Sequence, residues 1–291
     1  MKIAIAIATA GRVQVLSEAI AYMRKQTRKP DGLYICPATD ADLDPACLEG
    51  FPCPTRVVKG PRGSASQRNA ILKQLSDEDI VVFFDDDFLP EPTFLAELED
   101  LYLRHPDVVV ATGHVVADGI KNAGISYDEA MRIIDALPEL PPAVVTASFS
   151  GYGCNMAVRR QALVETGIEF DEKLPLYAWW EDVDFSRRLA PYGRIVTYNR
   201  MRGVHQGTKK GRSPGKRLGY SQVINLIYLN RKGSIGPAMT YNQILKNMVA
   251  NLAGSFRPEP WVDRRGRLTG NLMALGDAIK GKVDPERILE M

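Results

Sequence analysis

The chain has 291 residues, of which 45% are hydrophobic and 25% charged, and its formal net charge is +2. This composition is that of an ordinary globular protein and excludes a disordered, collagen-like or coiled-coil chain. The balance of 37 basic against 35 acidic residues also argues against a nucleic-acid partner that is bound through overall charge. Any electrostatic function must therefore lie in local clusters.

The first half of the chain predicts strands that alternate with helices. Apolar or β-branched runs predict strands at residues 2–8, 33–36, 55–58, 80–84 and 108–111. Helical spacing of apolar residues predicts helices at residues 13–25, 64–75, with Ser64 as the N-cap, and 94–102. This alternation predicts an α/β fold with a mostly parallel sheet, whose ligands bind beyond the carboxyl ends of the strands.

The second half of the chain predicts a strand at residues 194–198 and otherwise helices. The helices are expected at residues 128–137, 159–166, 182–189, 218–229, 241–252 and 268–279. A Gly/Pro break at residues 233–237 suggests a boundary. We therefore predict a domain at 1–232, with a nucleotide-binding half at 1–115 and an acceptor-side half at 116–232, followed by a helical C-terminal extension at 233–291. The Pro-rich stretch 116–150 is interpreted as an insertion that can move.

Three consecutive carboxylates directly follow the strongest predicted strand. Side chains alternate along a strand, so Asp85 and Asp87 should point to one side and Asp86 to the other. Two carboxylates on one side suit a hard divalent cation such as Mg²⁺ or Mn²⁺. The alternative interpretation is a solvated acidic turn.

A second acidic group lies about a hundred residues further on, directly after two adjacent tryptophans. Glu181, Asp182 and Asp184 follow Trp179 and Trp180. Aromatic rings beside carboxylates suit a sugar, whose C–H faces stack while its hydroxyls form hydrogen bonds. A carboxylate there can also act as a general base toward a hydroxyl. A capped core helix remains the alternative, because acids in a first turn are favoured by the helix dipole.

The segment 200–217 is rich in cations and glycines and has no acid. This pattern predicts a flexible anion-binding loop for phosphates, with a solvated basic loop as the alternative. His205 lies within it, after the predicted late strand. The cationic residues of the segment are Arg200, Arg202, Lys209, Lys210, Arg212, Lys216 and Arg217.

These features, taken in order, resemble the family-2 inverting glycosyltransferases of the GT-A fold. Five segments carry the resemblance over about residues 1–232. They are IATAGR at 7–12, GPRGSASQRN at 60–69, FFDDDFLPEP at 83–92, GYGCNM at 151–156 with Arg159 and Arg160, and WWEDVDFSRRL at 179–189. One departure concerns the acid that usually comes right after strand two and reads the base: in residues 35–40 it is missing from that place or displaced to Asp40. The identity of the nucleobase therefore stays open.

The resemblance implies a metal-dependent, inverting hexosyltransferase with a UDP-, GDP- or dTDP-linked donor and a saccharide or glycolipid acceptor. It implies Mn²⁺ or Mg²⁺ as cofactor and a cytoplasmic role in surface polysaccharide synthesis, at the inner face of the membrane or away from it. It assigns nucleotide contacts to Thr9, Arg68, Asp85 and Asp86, metal ligation to Asp87 and His205, and the catalytic base to Asp182. We also expect Arg12 to contact the nucleotide and Trp180 and Glu181 to contact the sugar or the acceptor. The basic loop is expected to close over the diphosphate through Lys209, Lys210 or Arg212.

Several alternatives stay open at this point. A sugar-nucleotide pyrophosphorylase also uses carboxylate-bound Mg²⁺, and a non-catalytic nucleotide- or carbohydrate-binding protein could keep the same motifs. The extension 233–291 could cover an apolar groove, form an oligomer contact or make a peripheral membrane contact. Because the amphipathic stretch 241–255 carries only Lys246 as a basic residue, the sequence favours core packing or self-association over lipid binding.

Overall fold

The computed structural model describes residues 1–211 and 213–291, in which nine strands form one sheet. The strands are β1 (Ile3–Thr9), β2 (Gly32–Pro37), β3 (Thr55–Val57), β4 (Ile80–Asp85), β5 (Phe88–Pro90), β6 (Val108–Asp118), β7 (Val145–Ala147), β8 (Asn155–Arg159) and β9 (Arg194–His205). The helices are α1 (Val13–Met23), α2 (Ser64–Leu72), α3 (Phe94–Arg104), α4 (Tyr127–Asp135), α5 (Arg160–Thr166), α6 (Glu181–Leu189), α7 (Gly215–Lys232), α8 (Pro237–Gly254) and α9 (Arg264–Ile279).

The sheet has the order β3-β2-β1-β4-β8-β6-β9-β5, and β7 pairs with β9. Six of the nine described strands run in one direction, whereas β5, β7 and β8 run in the other. The predicted α/β fold with a mostly parallel sheet flanked by helices is thus confirmed.

The central strands are buried on both faces, which explains why they are almost wholly apolar. In β1, Ile3, Ile5 and Ile7 pack into one hydrophobic core, whereas Ala4 and Ala6 pack into another on the opposite face. This alternation follows from the two-residue period of a strand. Helices cover both faces, so the polar residues collect at the carboxyl ends of the strands.

Strand register brings the acidic motif and the histidine together. Asp85 pairs with Ala8 at the end of β1. The short strand β5, which the sequence did not predict, pairs Phe88 with His205 of β9. Because Asp86 and Asp87 occupy the turn between β4 and β5, this pairing brings the end of β9 alongside them.

Two strands run further than predicted, which corrects the interpretation of the basic segment. β6 continues to Asp118 and β9 to His205, and the two residues are partners in the ladder. Residues 200–205 are therefore strand rather than loop. Arg200 and Arg202 form ion pairs with Glu97 and Glu91, at 2.8 and 2.6 Å, and so do not join a phosphate-binding loop.

The predicted N-cap of α2 is also wrong. Gly63 is the N-cap residue, with φ +144°, and it makes no side-chain cap. The amide of Ser64 donates to the carbonyl oxygen of Leu176 at 2.8 Å, and its hydroxyl donates to Glu181 at 3.3 Å. Ser64 thus joins the helix to the second acidic motif instead of closing its own first turn.

The C-terminal helices pack onto the rest of the chain through glycines. A Cβ at Gly219 of α7 would overlap the carbonyl oxygen of Arg267 in α9, and one at Gly270 would overlap that of Lys216. One hydrophobic core runs from the sheet into these helices, and it includes Phe83, Tyr220 and Ala274. The division at residue 232 remains a prediction.

The core-packing interpretation of the stretch 241–255 holds for the inner side of α8, where Ile244 is buried in the core and Met248 packs against it, but not for the outer side. Tyr241, Leu245, Val249 and Leu252 are all more than half exposed. None of the helices in the described part of the chain has the length and hydrophobicity that crossing a bilayer requires.

Candidate active site

A cavity of about 770 Å³ lies at the carboxyl ends of β1 and β4. Most of the residues predicted for the site line it, and these are Thr9, Arg12, Arg68, Asp85, Asp86, Trp180, Glu181, Asp182 and His205. Of the other predicted residues, Asp87, Lys209 and Lys210 do not line it, and Arg212 lies outside the described residues. Two further cations, Arg62 and Arg217, belong to the wall of the cavity.

Both oxygens of Asp86 are already engaged by protein donors. The hydroxyl of Thr9 donates to one oxygen at 2.7 Å, and the guanidinium of Arg12 donates to the other at 2.8 Å. Burial raises the pKa of Asp86, although Arg12 lowers it. Asp86 therefore connects the end of β1 to the acidic turn, which is the turn between β4 and β5 that contains Asp86 and Asp87.

Asp87 has one engaged and one unengaged oxygen. Its Oδ2 accepts the amide of Thr208 at 2.8 Å, whereas its Oδ1 has no hydrogen-bond partner although the side chain is buried. The Nε2 atom of His205 lies 3.3 Å from Oδ1. Burial raises the pKa of Asp87, but His205 and Arg12 outweigh it and hold the pKa well below its usual range.

Asp85, Asp87 and His205 form a group that fits a divalent cation. One ligand atom of each lies within 4.8 Å of the others. Two carboxylate oxygens and an imidazole nitrogen suit Mn²⁺ or Mg²⁺. The buried Oδ1 of Asp87 without a partner is the atom that a cation would satisfy. Asp85, which the resemblance assigned to the nucleotide, thus belongs to this group as well.

His205 is held from its other side by a carboxylate that sequence reasoning missed. Its Nδ1 atom lies 2.9 Å from Oδ1 of Asp118, and the hydroxyl of Tyr152 donates to Oδ2 of Asp118 at 3.0 Å. Burial lowers the pKa of His205, but the hydrogen bond to Asp118 and the negative charges of Asp87 and Asp85 outweigh it and raise the pKa to about 10. Nothing in the sequence points to Asp118, because the predicted strand ends at residue 111 whereas β6 continues to residue 118.

Arg68 joins the two acidic motifs. Its guanidinium donates to Asp85 at 3.0 Å, to the carbonyl oxygen of Gly153 at 2.9 Å, and to Glu181. It also lies over the rings of Phe83 and Phe170. The side chain is only 4% exposed, so it acts as a fixed link between the motifs.

Glu181 and Asp182 begin α6 at the wall of the cavity. Asp182 accepts the amides of Gly153 and Val183, at 2.9 and 2.8 Å. Burial raises the pKa of Asp182, although these amides and Arg68 lower it. Burial also raises the pKa of Glu181 to about 8, despite the opposing effect of Arg68. A carboxylate with a raised pKa that faces a cavity is a better general base than an ordinary one.

The turn before α6 has an unusual backbone. Leu176, Ala178 and Trp180 have positive φ values of 58°, 49° and 75°. Each costs roughly 1–2 kcal/mol for a residue with a Cβ, and such strain is concentrated at functional sites. The turn sets the rings of Trp179 and Trp180 at 5.4 Å from each other beside the carboxylates.

The loop that follows β9 is held mainly through its backbone. Arg12 donates to the carbonyl oxygens of Lys210 and Thr208, at 2.8 and 3.3 Å. The ammonium group of Lys209 donates to the carbonyl oxygens of Gly119 and Ile120, at 2.8 and 3.0 Å. Lys210 is exposed. A role for this loop at a diphosphate stays a prediction.

The sequence places the chain in a family. Glycosyl transferase family 2 matches residues 4–167, which is more than half of the chain. The chain belongs to this family. No curated protein matches it by sequence. Membership in glycosyl transferase family 2 makes it a glycosyltransferase and confirms the family that the five segments resemble.

Solved structures share the fold of this glycosyltransferase. Residues 1–349 of S. aureus TarS are 15% identical, with a TM-score of 0.57 over 99% of this chain and 82% of that one. The mannosyltransferase PcManGT from Pyrobaculum calidifontis, solved with GDP-Man and Mn²⁺, is 17% identical, with a TM-score of 0.60 over 96% and 86%. TarS 1–349 has also been solved with UDP-GlcNAc. These likenesses confirm the predicted GT-A fold.

Proposed function

We propose that this glycosyltransferase moves a hexose from a nucleoside-diphosphate sugar to a hydroxyl of a saccharide or glycolipid, with inversion and with Mn²⁺ or Mg²⁺. The observation that carries the proposal is the joining of two sites by one buried arginine. Arg68 connects Asp85, in the group that fits a cation, to Glu181, beside the candidate base Asp182. Family membership favours this function over a pyrophosphorylase.

The donor half of the site is built from the residues around the acidic turn. Asp85, Asp87 and His205 would hold the divalent cation, which when bound supplies positive charge for the leaving nucleoside diphosphate. Thr9 and Arg12 fix the turn, and Arg62 and Arg217 offer cationic groups at the cavity wall. Two similar structures, one solved with GDP-Man and Mn²⁺ and the other with UDP-GlcNAc, support a donor of this class.

The acceptor half is built around Asp182. In the proposed single displacement, the acceptor oxygen bonds to the anomeric carbon and the bond from that carbon to the diphosphate oxygen breaks. The acceptor proton passes to Asp182, and the nucleoside diphosphate leaves with the bonding electrons. Trp180 and Glu181 would position the sugar or the acceptor. Attack opposite to the leaving group inverts the configuration.

The proposal also covers the loop that follows β9 and the cellular process in which the enzyme acts. Lys209, Lys210 and Arg212 would close over the diphosphate, which excludes water and limits donor hydrolysis. We also propose that the enzyme acts in the cytoplasm, in the synthesis of a surface polysaccharide.

The first experiment is calorimetric titration of UDP, GDP, dTDP and CMP, each with and without Mn²⁺. We expect one diphosphate to bind tightly only with the metal. Asp87→Ala should lose this metal-dependent binding, because the buried ligand oxygen is removed. Failure of every nucleotide to bind would contradict the proposal.

A second measurement separates chemistry from binding. Asp182→Asn should keep the nucleotide affinity and lose turnover by roughly 10²–10⁴-fold, because proton transfer by a positioned base contributes about this much. Asp100→Asn, which alters a carboxylate paired with Arg104 on α3, is the matched control. Turnover of the Asp182→Asn variant near that of the unchanged chain would show that another group is the base.

A further inference from the structure

The exposed face of α8 is a continuous apolar stripe. Tyr241, Leu245, Val249 and Leu252 are 72%, 61%, 55% and 51% exposed, and Phe256, just beyond the helix, is 80% exposed. The spacings of four, four, three and four residues place these side chains on one side of a helix. A surface helix normally turns such residues inward.

Some polar residues of α8 face inward. The amide of Asn251, which is 1% exposed, donates to Oε1 of Gln222 in α7 at 2.9 Å and to Oδ1 of Asn271 in α9 at 2.8 Å. Asn247 donates to the carbonyl oxygen of Gln222 at 3.4 Å. Ile244 of α8 is also buried in the core, and Met239 and Met248 pack against it, so the inner side of the helix is held by apolar contacts as well as hydrogen bonds. The outer stripe is an additional apolar surface that packing within this chain does not cover.

The charges around the stripe have one sign. Residues 237–258 include no acid, and their cations Lys246 and Arg257 are exposed. The exposed Arg265 reaches the end of α8, where it donates to the carbonyl oxygen of Ser255 at 3.3 Å. The nearest acid in the following chain, Glu259, is paired with Arg264 at 2.6 Å. The stripe thus complements an anionic surface.

We propose that α8 docks on the surface of an anionic lipid bilayer, with its axis in the plane of the membrane. The stripe from Tyr241 to Phe256 enters the boundary between headgroups and acyl chains, while Lys246, Arg257 and Arg265 reach lipid phosphates. Apolar burial and attraction to anionic lipids together give such helices their affinity. This surface is separate from the cavity, so the proposal does not depend on the proposed function.

A second copy of this chain, which the sequence pattern favours, fits the stripe less well. A two-fold pair of α8 helices buries the same surface on both copies. Such a pair brings the cations Lys246 and Arg257 of both copies to one surface. No acid in residues 237–258 offsets their repulsion, whereas lipid phosphates do.

The test is sedimentation of the purified full chain with vesicles of phosphatidylcholine, with and without phosphatidylglycerol. We expect binding to the anionic vesicles, little binding to the neutral ones, and weakening in about 0.5 M salt, which screens charges beyond a few ångströms. Binding that is absent, or that is equal for the two vesicle types, overturns the proposal.

Variants locate the binding surface. Leu245→Glu and Val249→Glu should each weaken binding by about tenfold or more, because an apolar side chain no longer enters the lipid. Lys246→Gln should weaken it by about fivefold. Leu103→Glu is the matched control, since Leu103 is 67% exposed on α3, and it should bind as the unchanged chain does. Circular dichroism and a cooperative thermal transition of each variant confirm that it is folded.

Two outcomes overturn the proposal that α8 docks on a membrane. Equal losses in Val249→Glu and Leu103→Glu show that added negative charge, and not the stripe, controls the binding. Sedimentation velocity without lipid gives the other outcome. A dimer that Val249→Glu dissociates, in a chain that ignores vesicles, assigns the surface to a second copy.

Discussion

At the scale of single residues, the contact between Asp118 and His205 fixes which ring nitrogen of the histidine faces the candidate cation site. With Asp118 at its Nδ1 atom, His205 directs Nε2 toward Asp85 and Asp87, at 4.0 and 3.3 Å. Such outer partners fix the orientation and tautomer of a metal-binding histidine, and their loss weakens metal affinity by roughly 10–100-fold. Asp118→Ala should therefore weaken Mn²⁺ binding by about that factor in a calorimetric titration.

The conservative variant separates positioning from folding. Asp118→Asn keeps an oxygen that can accept from Nδ1, so we expect it to retain part of the lost affinity. Asp100→Ala removes a surface carboxylate that is paired with Arg104 on α3 and should leave Mn²⁺ binding unchanged. Equal affinities for Asp118→Ala and Asp100→Ala would contradict the positioning role.

Glu181 makes the stability of the fold dependent on pH. Burial raises its pKa from 4.5 to about 8 in the folded chain, so between these values the folded chain holds a proton that the unfolded chain has released. The free energy of unfolding contributed by this group therefore falls as pH rises through that window. Glutamine has no such proton. The unfolding free energy of Glu181→Gln minus that of the unchanged chain should increase from about pH 5 to about pH 8.

Urea denaturation at both ends of the window measures this difference. Glu172→Gln is a suitable control, because Glu172 accepts hydrogen bonds from Ser66 and Asn69 and is not part of the Arg68 link. A difference for Glu181→Gln that stays constant or decreases with pH would contradict the prediction.

Part of the candidate site could be predicted from single residues and their neighbours in the sequence. Asp85 and Asp87 follow an apolar strand, and Asp182 follows two tryptophans, so their types and positions were sufficient. Asp118 and Tyr152 could not be found this way, because they meet His205 only through the register of β6 with β9 and the placement of the segment before β8. The same holds for Arg68 as a link, since its partners lie 17, 85 and 113 residues away.

At the scale of secondary structure elements, the contact between α7 and α9 depends on two glycines. A side chain at Gly219 would meet the backbone of Arg267, which cannot move aside as a flexible side chain does. Gly219→Ala should therefore destabilise the fold by roughly 1–3 kcal/mol, the usual cost of overpacking. Thermal or urea unfolding measures it.

Another glycine of α9 provides the control. A Cβ at Gly276 would have no neighbour within 4 Å. Gly276→Ala should stabilise the fold by roughly 0.5–1 kcal/mol, because alanine loses less backbone entropy in a helix. If both variants shift stability in the same direction, backbone overlap is not the cause.

The elements themselves were predictable to different degrees. The buried strands β1 and β4 and the helices α1, α3 and α6 have strong apolar patterns, and their predicted ranges agree with the structure within a few residues. The strands β5 and β7 have three residues each and no pattern of their own, so pairing with β9 defines them. The ends of β6 and β9 contain polar residues that resemble a loop, and only their partnership shows them as strand.

At the scale of the whole molecule, residues 233–291 share a core with the sheet. Tyr220 of α7 packs in the same core as Phe83 of β4 and Ala274 of α9, and its hydroxyl donates to Asp277 at 2.9 Å. A chain that ends after Lys232 exposes this face of α7. We expect it to lose cooperative unfolding and to bind a hydrophobic dye, as followed by circular dichroism and dye fluorescence. A cooperative transition near that of the full chain would support a domain boundary at 232.

The two carboxylate oxygens of Asp87 have different partners, and this limits which residues can replace the aspartate. One oxygen accepts the amide of Thr208 and the other faces His205 in the group that fits a cation. Asparagine must turn its NH₂ group either against the Thr208 amide, a clash of two donors, or toward the cation. Glutamate needs space for another methylene where the side chain is only 2% exposed. Neither of the two residues chemically nearest to aspartate keeps both contacts, so the position accepts aspartate alone among them.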